Sequence, residues 1–246
     1  MITVTNFCKE YKGFKAVKNL SFSVAPGQIL GLVGPNGAGK TTTLRTLCGI
    51  IPPTSGEVLV AGHDIVKAPL AAKQNVGYIP DDPRLFDAMT VWEHLVFSAA
   101  AHKLKGFEQS AEALLESFEL THKRDTMVHS LSRGMRQKVA IACAFLHDPK
   151  AILFDEPLTG LDPQGIRGIQ QAIRERAEAG AAIIISSHLL GLFENLCTHI
   201  MVLSHGECRR FGTMDDLLRE VGDTENGSAL EEAYFEITRS IEEGES

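Results

Sequence analysis

The chain opens with two runs in which apolar and polar residues alternate, ITVTNF at 2–7 and NLSFSV at 19–24, separated by the turn-like YKGFK. Alternation with a period of two marks strands with one buried face, so this pattern predicts an antiparallel pair. The pattern then changes. QILGLVG at 28–34 is continuously apolar, as expected of a strand buried on both faces, and a glycine-rich turn leads from it into the helix-compatible KTTTLRTLCGI. After PPTSG at 52–56, the run EVLVAGHDI predicts a further hairpin strand.

From about 83 to 144 no strand pattern occurs, and helical periodicity runs through VWEHLVFSAAAHKL, AEALLESFEL and QKVAIACAFL. Strands return as AILFDE at 151–156, AAIIISS at 181–187 and HIMVLSHG at 199–206, with helical stretches between them. This is the alternation of an α/β core with a parallel sheet. The stretch 214–246 is helical and acidic, broken by the loop-like GDTENGS. The resulting expectation is one domain over 1–246. Its core with an antiparallel β subdomain takes 1–82 and 145–213, an inserted α-helical subdomain takes 83–144, and a helical tail takes 214–246.

Composition excludes more than it assigns. With 246 residues, 44% hydrophobic and 22% charged, the chain is an ordinary globular protein rather than a disordered or fibrous one. A net charge of −7 argues against a nucleic-acid coat protein, and no nucleic-acid partner is expected. Five cysteines without a CxxC pair fit reduced thiols in the cytosol. The uncharged run 19–39 contains two prolines and five glycines, which rules it out as a transmembrane helix, and MITVTNFCKEYKGF lacks the features of a secretory signal. A soluble chain is expected, with any membrane role requiring a partner.

Chemistry enters at GPNGAGKT, which satisfies G-x-x-x-x-G-K-[ST] between an apolar strand and a helix. The candidate nucleotide cradle is Gly34, Pro35, Asn36, Gly37, Ala38, Gly39, Lys40, Thr41 and Thr42. Glycines let successive backbone N–H groups turn towards phosphates, and the helix start directs its positive dipole end at them. Lys40 would reach the β and γ phosphates, and Thr41 would place its hydroxyl on Mg²⁺. Downstream, ILFDE ends an apolar strand in two carboxylates. Ligands gather at the carboxyl ends of parallel strands, so Asp155 suits an Mg²⁺ partner and Glu156 suits polarisation of the attacking water. A third strand end carries Ser186, Ser187 and His188, where the histidine is either a structural group or a donor to a γ-phosphate oxygen.

At LSRGMRQKVAIA, residues 131–142, the sequence resembles the ATP-binding subunits of ABC transporters. The resemblance covers essentially the whole chain in order: Tyr11, the phosphate loop, GYIPDD at 77–82, LSRGM, ILFDE, TGLD at 159–162 and His188. It implies an ATPase with ATP and Mg²⁺ as cofactors, working as a homodimer or heterodimer of ATPase subunits that powers a separate integral membrane permease. Location at the cytoplasmic face of the membrane, peripheral through that permease, follows from the same likeness. By the resemblance, Tyr11 would stack on adenine, the alternative being a plain exposed strand aromatic. Ser132 and Gly134 would contact the γ-phosphate held by the other subunit, Asp162 would sit at the subunit interface, and His188 would be the switch histidine.

Two positions depart from the family's pattern. The usual LSGGQ is LSRGM here, with Arg133 in place of the first glycine and Met135 in place of the glutamine. The residue facing Mg²⁺ after GYxP, commonly glutamine, is Asp81. Both departures, with the segment LEEAYFEITR at 230–239, are similar to ATPases of the ABC-2 export type. The alternative is a non-transport ABC ATPase acting on nucleic acid or ribosomes, although such proteins usually carry coiled coils or two cassettes. A P-loop GTPase or kinase would lack an explanation for LSRGM. Finally, the stretch from Asp81 to Trp92 carries Leu85, Phe86, Met89 and Val91. These side chains either pack the helical subdomain or present a surface on which a permease helix docks.

Overall fold

The computed structural model describes residues 1–159, 161–187, 191, 194–221 and 234, with backbone alone at 220 and 221. The loop-like stretch 222–228 and most of 230–239 therefore lie outside the described residues. Strands β1 (Ile2–Tyr11) and β2 (Phe14–Val24) pair antiparallel across a two-residue turn at Lys12 and Gly13. With β4 (Ser55–Val60) and the short β5 (His63–Asp64) they form a four-stranded antiparallel sheet in the order β2-β1-β4-β5.

The second sheet has six strands. Five run parallel: β3 (Ile29–Val33), β6 (Val76–Ile79), β7 (Ala151–Asp155), β8 (Ala182–Ser186) and β9 (His199–Ser204). The antiparallel β10 (Glu207–Thr213) closes one edge, giving the order β10-β9-β3-β8-β7-β6. The continuous apolar runs are explained by two separate cores, one on each face. Ile152 and Phe154 of β7 and Ile183 and Ile185 of β8 belong to one core; Ala151, Leu153, Ala182 and Ile184 belong to the other. Successive side chains point to opposite faces, so a strand covered on both sides must be apolar throughout.

The first core is built with helices, the second with the antiparallel sheet and α1 (Lys40–Leu47). A short helix α2 (Pro69–Lys73) precedes β6. Between β6 and β7 lie α3 (Val91–Ala101), α4 (Glu108–Ser117) and α5 (Arg133–Phe145); α6 (Pro163–Glu178) follows β7, and α7 (Met214–Val221) follows β10. The start of α3 is fixed locally by the T-x-x-E spacing. Thr90 Oγ1 accepts from the Glu93 amide at 3.2 Å, and Glu93 Oε2 accepts from the Thr90 amide at 2.7 Å, satisfying two amides that the first turn leaves over. α5 packs against both α3 and β6, which ties the helices to the edge of the parallel sheet.

Two elements differ from the sequence pattern for physical reasons. β10 has only half-buried and exposed positions and no buried face, so it carries no apolar periodicity. α2 spans five residues and buries only Ala72, too little for a periodic signal. The segment after Asp81 also divides. Val91 is fully buried and Leu85 packs against the helical core, whereas Phe86 is 53% exposed.

Where α5 meets β6, the rings of His102 and His147 stack at 3.7 Å and 14°. His147 Nε2 lies 3.2 Å from the Val76 carbonyl. Burial pushes the His147 pKa down to about 4, helped by His102 and Arg176 and opposed by the carbonyl and Asp148. The folded chain therefore resists a proton that the unfolded chain accepts below about 6.5, so stability is lost as pH falls from about 6.5 towards about 4. His147→Gln keeps a donor for Val76 and removes the titration. Chemical denaturation across that pH range should show a flatter fall for the variant than for the wild type; identical slopes would remove His147 from the explanation.

Candidate functional site

The carboxyl ends of the parallel strands meet at one edge. There β3 runs into the turn 34–39 and then α1, whose N-cap is Gly39. Glycine is required at both ends of the turn by close backbone approach. A Cβ at Gly34 would run into the Leu203 carbonyl, and one at Gly39, where φ is 104°, would lie 2.6 Å from the Ala16 carbonyl. Gly206 braces the turn by donating its amide to the Ala38 carbonyl at 3.1 Å. Gly39 offers no side chain to cap α1, so the first-turn amides are available to an external acceptor.

Lys40 opens this helix and is only 8% exposed. Its Nζ donates to the carbonyls of Gly34 at 2.6 Å and Pro35 at 3.2 Å, which wraps the turn around the ammonium. Burial lowers its pKa, and the charges of Glu156 and Asp155 act in the opposite direction.

Asp155 ends β7 almost completely buried, and three hydroxyls from three other elements converge on it. Ser186 Oγ donates to Oδ1 at 2.7 Å, Thr41 Oγ1 donates to Oδ1 at 3.2 Å, and Tyr78 OH donates to Oδ2 at 3.4 Å. Burial, and secondarily the Asp155 charge, push the Tyr78 hydroxyl up to about 12, so it stays a donor. Glu156 follows with φ of 51°, a left-handed backbone rare outside glycine, and its amide reaches the Ser186 carbonyl at 3.1 Å. Strain of this kind is tolerated where a side chain must be re-aimed at the end of a strand.

Cavities of about 490 and 440 Å³ share Asn36, Asp81 and Glu156 in their walls and together form a cleft along the turn. Gly34, Thr159, Ser187 and Tyr234 line the first; Tyr11, Lys40, Thr41, Thr42 and Asp155 line the second. Tyr11 stands 42% exposed at the rim, with Lys9 Nζ 4.9 Å above its ring. Ser132 and Gly134 are elsewhere. Ser132 caps α5 by accepting from the Met135 amide at 3.2 Å, and with Gly134, Leu161 and Asp162 it lines a third cavity of about 480 Å³. Asp162 itself caps α6, accepting from Gly165 at 2.6 Å. Asp81 reaches Arg133 across the gap between cleft and third cavity, at 3.0 Å. His188 lies outside the described residues.

Sequence reasoning did not find Tyr78 or Ser186 as partners of Asp155. For Ser186 a signal exists in hindsight, because parallel pairing sets it directly opposite Asp155 at the strand ends. Tyr78 is 77 residues away in sequence and gives none.

The sequence profile of the family described as "ABC transporter" matches residues 17–159. The chain belongs to this family. It is similar to the "ABC-type transporter ATP-binding protein EcsA" of Bacillus subtilis (strain 168), at 34% identity over 97% of both chains. It is also similar to the "Lipopolysaccharide export system ATP-binding protein LptB" of Escherichia coli (strain K12), at 35% identity over 89% of this chain and 93% of that one. Among solved structures, an ATP-binding subunit of an ABC transporter superposes with a TM-score of 0.89 at 33% identity, covering 97% of this chain and 99% of the other. A dimeric ATP-binding cassette, MJ0796, in a post-hydrolysis state bound to ADP and Pi has a TM-score of 0.79 at 25% identity, covering 87% and 99%.

This ABC chain is an ATP-binding, ATP-hydrolysing subunit of a membrane transporter, with the α/β nucleoside-triphosphatase fold. ATP and Mg²⁺ are its cofactors. The residues fit them. A turn too crowded for any Cβ at 34 or 39 leaves backbone amides to meet phosphate oxygens, and the Thr41 and Asp155 oxygens, 3.2 Å apart, are hard donors suited to Mg²⁺. No described helix is long and apolar enough to cross a membrane.

The hydrogen bonds on Asp155 rank its supports. Ser186→Ala removes the 2.7 Å bond and should raise the Mg²⁺ concentration for half-maximal ATPase by about threefold to tenfold, since bonds to a charged acceptor are the strong ones. Tyr78→Phe removes only the 3.4 Å contact and should shift it less. A magnesium titration of steady-state ATPase checks the order; the reverse order would show that Tyr78 is the principal support.

Proposed function

We propose that the subunit dimerises around two ATP molecules and powers an integral membrane permease of the ABC-2 export type, held at the cytoplasmic face of the membrane through that permease. The observation that supports this most directly is the division of the site. Ser132 and Gly134 line a cavity that shares no residue with the phosphate-loop cleft of the same chain. Two incomplete halves on one chain become two complete sites when a second ATPase subunit, identical or not, faces the first. Export is supported by the likeness to the lipopolysaccharide export subunit LptB and by the combination of Asp81 with LSRGM.

The roles follow from chemistry. Free amides of the turn and of the first turn of α1, with the Lys40 ammonium, neutralise the β and γ phosphates, and Tyr11 stacks on the base. Thr41 and Asp155 hold the metal, with Asp81 at its margin; the metal's contribution when bound is to offset charge on the phosphates. Glu156, turned out of the strand by its left-handed backbone, orients the water that attacks the γ-phosphorus and accepts its proton, while His188 is assigned a γ-phosphate contact. Ser132 and Gly134, at the start of α5, aim a second helix N-terminus at the same γ-phosphate from the opposite subunit. Residues 83–144 act as a helical unit inserted between β6 and β7, the core is formed by 1–82 and 145–213, and 214–246 is an appended tail.

Complementation tests the divided site. Lys40→Ala and Ser132→Arg subunits should each be nearly inactive alone, because each homodimer carries the lesion in both sites. Mixed, they should recover up to about a quarter of wild-type ATPase: half of the dimers are mixed, and each has one intact site. Absence of recovery at every ratio would mean that each chain completes its own site.

Within the Asp81–Trp92 segment, the exposed Phe86, packed edge-on against the equally exposed Phe97 at 5.3 Å, and the half-buried Met89 are the candidates for permease docking. Phe86→Asp should leave the ATPase of the isolated subunit within about twofold while reducing copurification with the permease. Undiminished copurification and transport would put the docking surface elsewhere.

A further inference from the structure

Asp81 and Arg133 are the two positions at which the chain departs with a charge from the family's pattern, and they are 52 residues apart in sequence. In the structure their side chains form an ion pair, Arg133 Nη2 to Asp81 Oδ1 at 3.0 Å. We propose that Arg133 is a positioning residue that competes with Mg²⁺ for the Asp81 carboxylate, so that metal arrival at the cleft releases the turn carrying Ser132 and Gly134 from its own chain.

The electrostatics of α5 give the pair a reason to exist. Arg133 occupies the first helical position, its first turn contains no acidic residue, and Arg136 follows one position after Met135. Cations at the positive end of a helix dipole are unfavourable, and the helix supplies no anion of its own to offset them. Asp81 supplies it from the loop after β6, and Asp81 also lines both cavities of the phosphate cleft. The pair is therefore a direct polar link between the wall of the cleft and the wall of the third cavity, to which Arg133 contributes with Ser132 and Gly134.

Its strength suits a connection that opens. Both side chains are about half exposed, at 47% and 53%, where an ion pair is weak and screened by salt. A divalent cation held by Thr41 and Asp155, which line the same cavity as Asp81, would attract the Asp81 carboxylate more strongly than a solvated guanidinium does. Once Asp81 turns to the metal, α5 starts with Ser132, an unpaired guanidinium and the helix dipole, all favouring an anion. That is the face which the proposed dimer sets against the γ-phosphate of the opposite subunit. The inference rests on Asp81 lying at the metal, as in the reading above; it adds that the turn carrying Ser132 and Gly134 senses that metal within one chain.

The test uses the full-length subunit, with Arg133→Gln to remove charge without loss of helix propensity, Arg133→Lys to keep charge, Asp81→Asn, and the Asp81→Asn/Arg133→Gln double variant. Two readouts are needed: the Mg²⁺ concentration for half-maximal ATPase, and amide hydrogen exchange over 81–85 and 131–137 without nucleotide. Arg133→Gln should lower the magnesium midpoint by about twofold to fivefold, the ceiling for an exposed pair, and Arg133→Lys should stay near the wild type. In the Asp81→Asn background the Arg133→Gln effect should vanish. Exchange in both segments should rise by a similar factor in either single variant, no further in the double variant, and in the wild type at about 0.5 M salt. Additive exchange effects, or an equal midpoint shift with and without the Asp81 carboxylate, would overturn the pair. A magnesium midpoint unmoved by Asp81→Asn alone would overturn instead the placement of Asp81 at the metal, and the competition with it.

Discussion

The site is organised by one costly act, the burial of the Asp155 carboxylate at the end of a parallel strand. A buried ionised group is tolerated only when its lone pairs are satisfied, and leaving one unpaired costs about 1–3 kcal/mol or more for a charge. Here the satisfying hydroxyls come from Ser186 at the end of β8, Thr41 in the first turn of α1 and Tyr78 in β6. Four elements are thereby fixed to one carboxylate. The geometry of the phosphate turn, the direction in which Glu156 leaves the strand and the approach of the Asp81 loop all follow from where those elements meet. Thr41 is the member proposed to be shared with the metal, so in that reading the group that would hold the cofactor also belongs to the network that holds the sheet edge together.

That network explains what sequence could and could not reveal. The phosphate turn is local: eight consecutive residues specify it, and the crowding at Gly34 and Gly39 translates directly into glycine. The parallel strands were legible because burial on both faces leaves only apolar residues, as in Ala151–Asp155 before its last position. The long helices were legible for the related reason that one face meets a core. β10 was not, since neither of its faces is buried, and α2 is too short for a period to show. Tyr78 and Arg133 were visible as letters but not as partners. Their functions depend on register and on the approach of α5 to the β6 end, which no short-range pattern encodes.

The segment between Asp81 and α3 shows the same distinction at a finer scale. Its apolar residues could be read as packing or as a surface, and they divide between the two. Val91 opens α3 fully buried and Leu85 packs against the helical core, which anchors both ends of the loop. Phe86 between them donates its backbone amide to His94 Nε2 at 2.9 Å and stacks loosely on that ring, with its own ring left largely in solvent. The backbone of this loop is thus held on both sides of Phe86 while one aromatic ring stays exposed between them.

Global charge conceals all of this. The chain carries a net −7, yet it binds the most highly charged of common small ligands. At physiological salt, charges beyond about 8 Å are largely screened, so the phosphates respond to their immediate surroundings and not to the sum over the surface. The surroundings proposed for them are helix-start amides at Gly39–Lys40, which formal charge counting omits, and one buried lysine that donates to two loop carbonyls. Asp155 and Glu156 would repel the phosphates if they stood alone. Beside Lys40 their charges oppose the burial that lowers its pKa, and a divalent cation held at Asp155, as proposed above, would offset the repulsion between carboxylate and phosphate. An acidic protein can thus build an anion site from backbone dipoles, one buried cation and carboxylates that act through a metal.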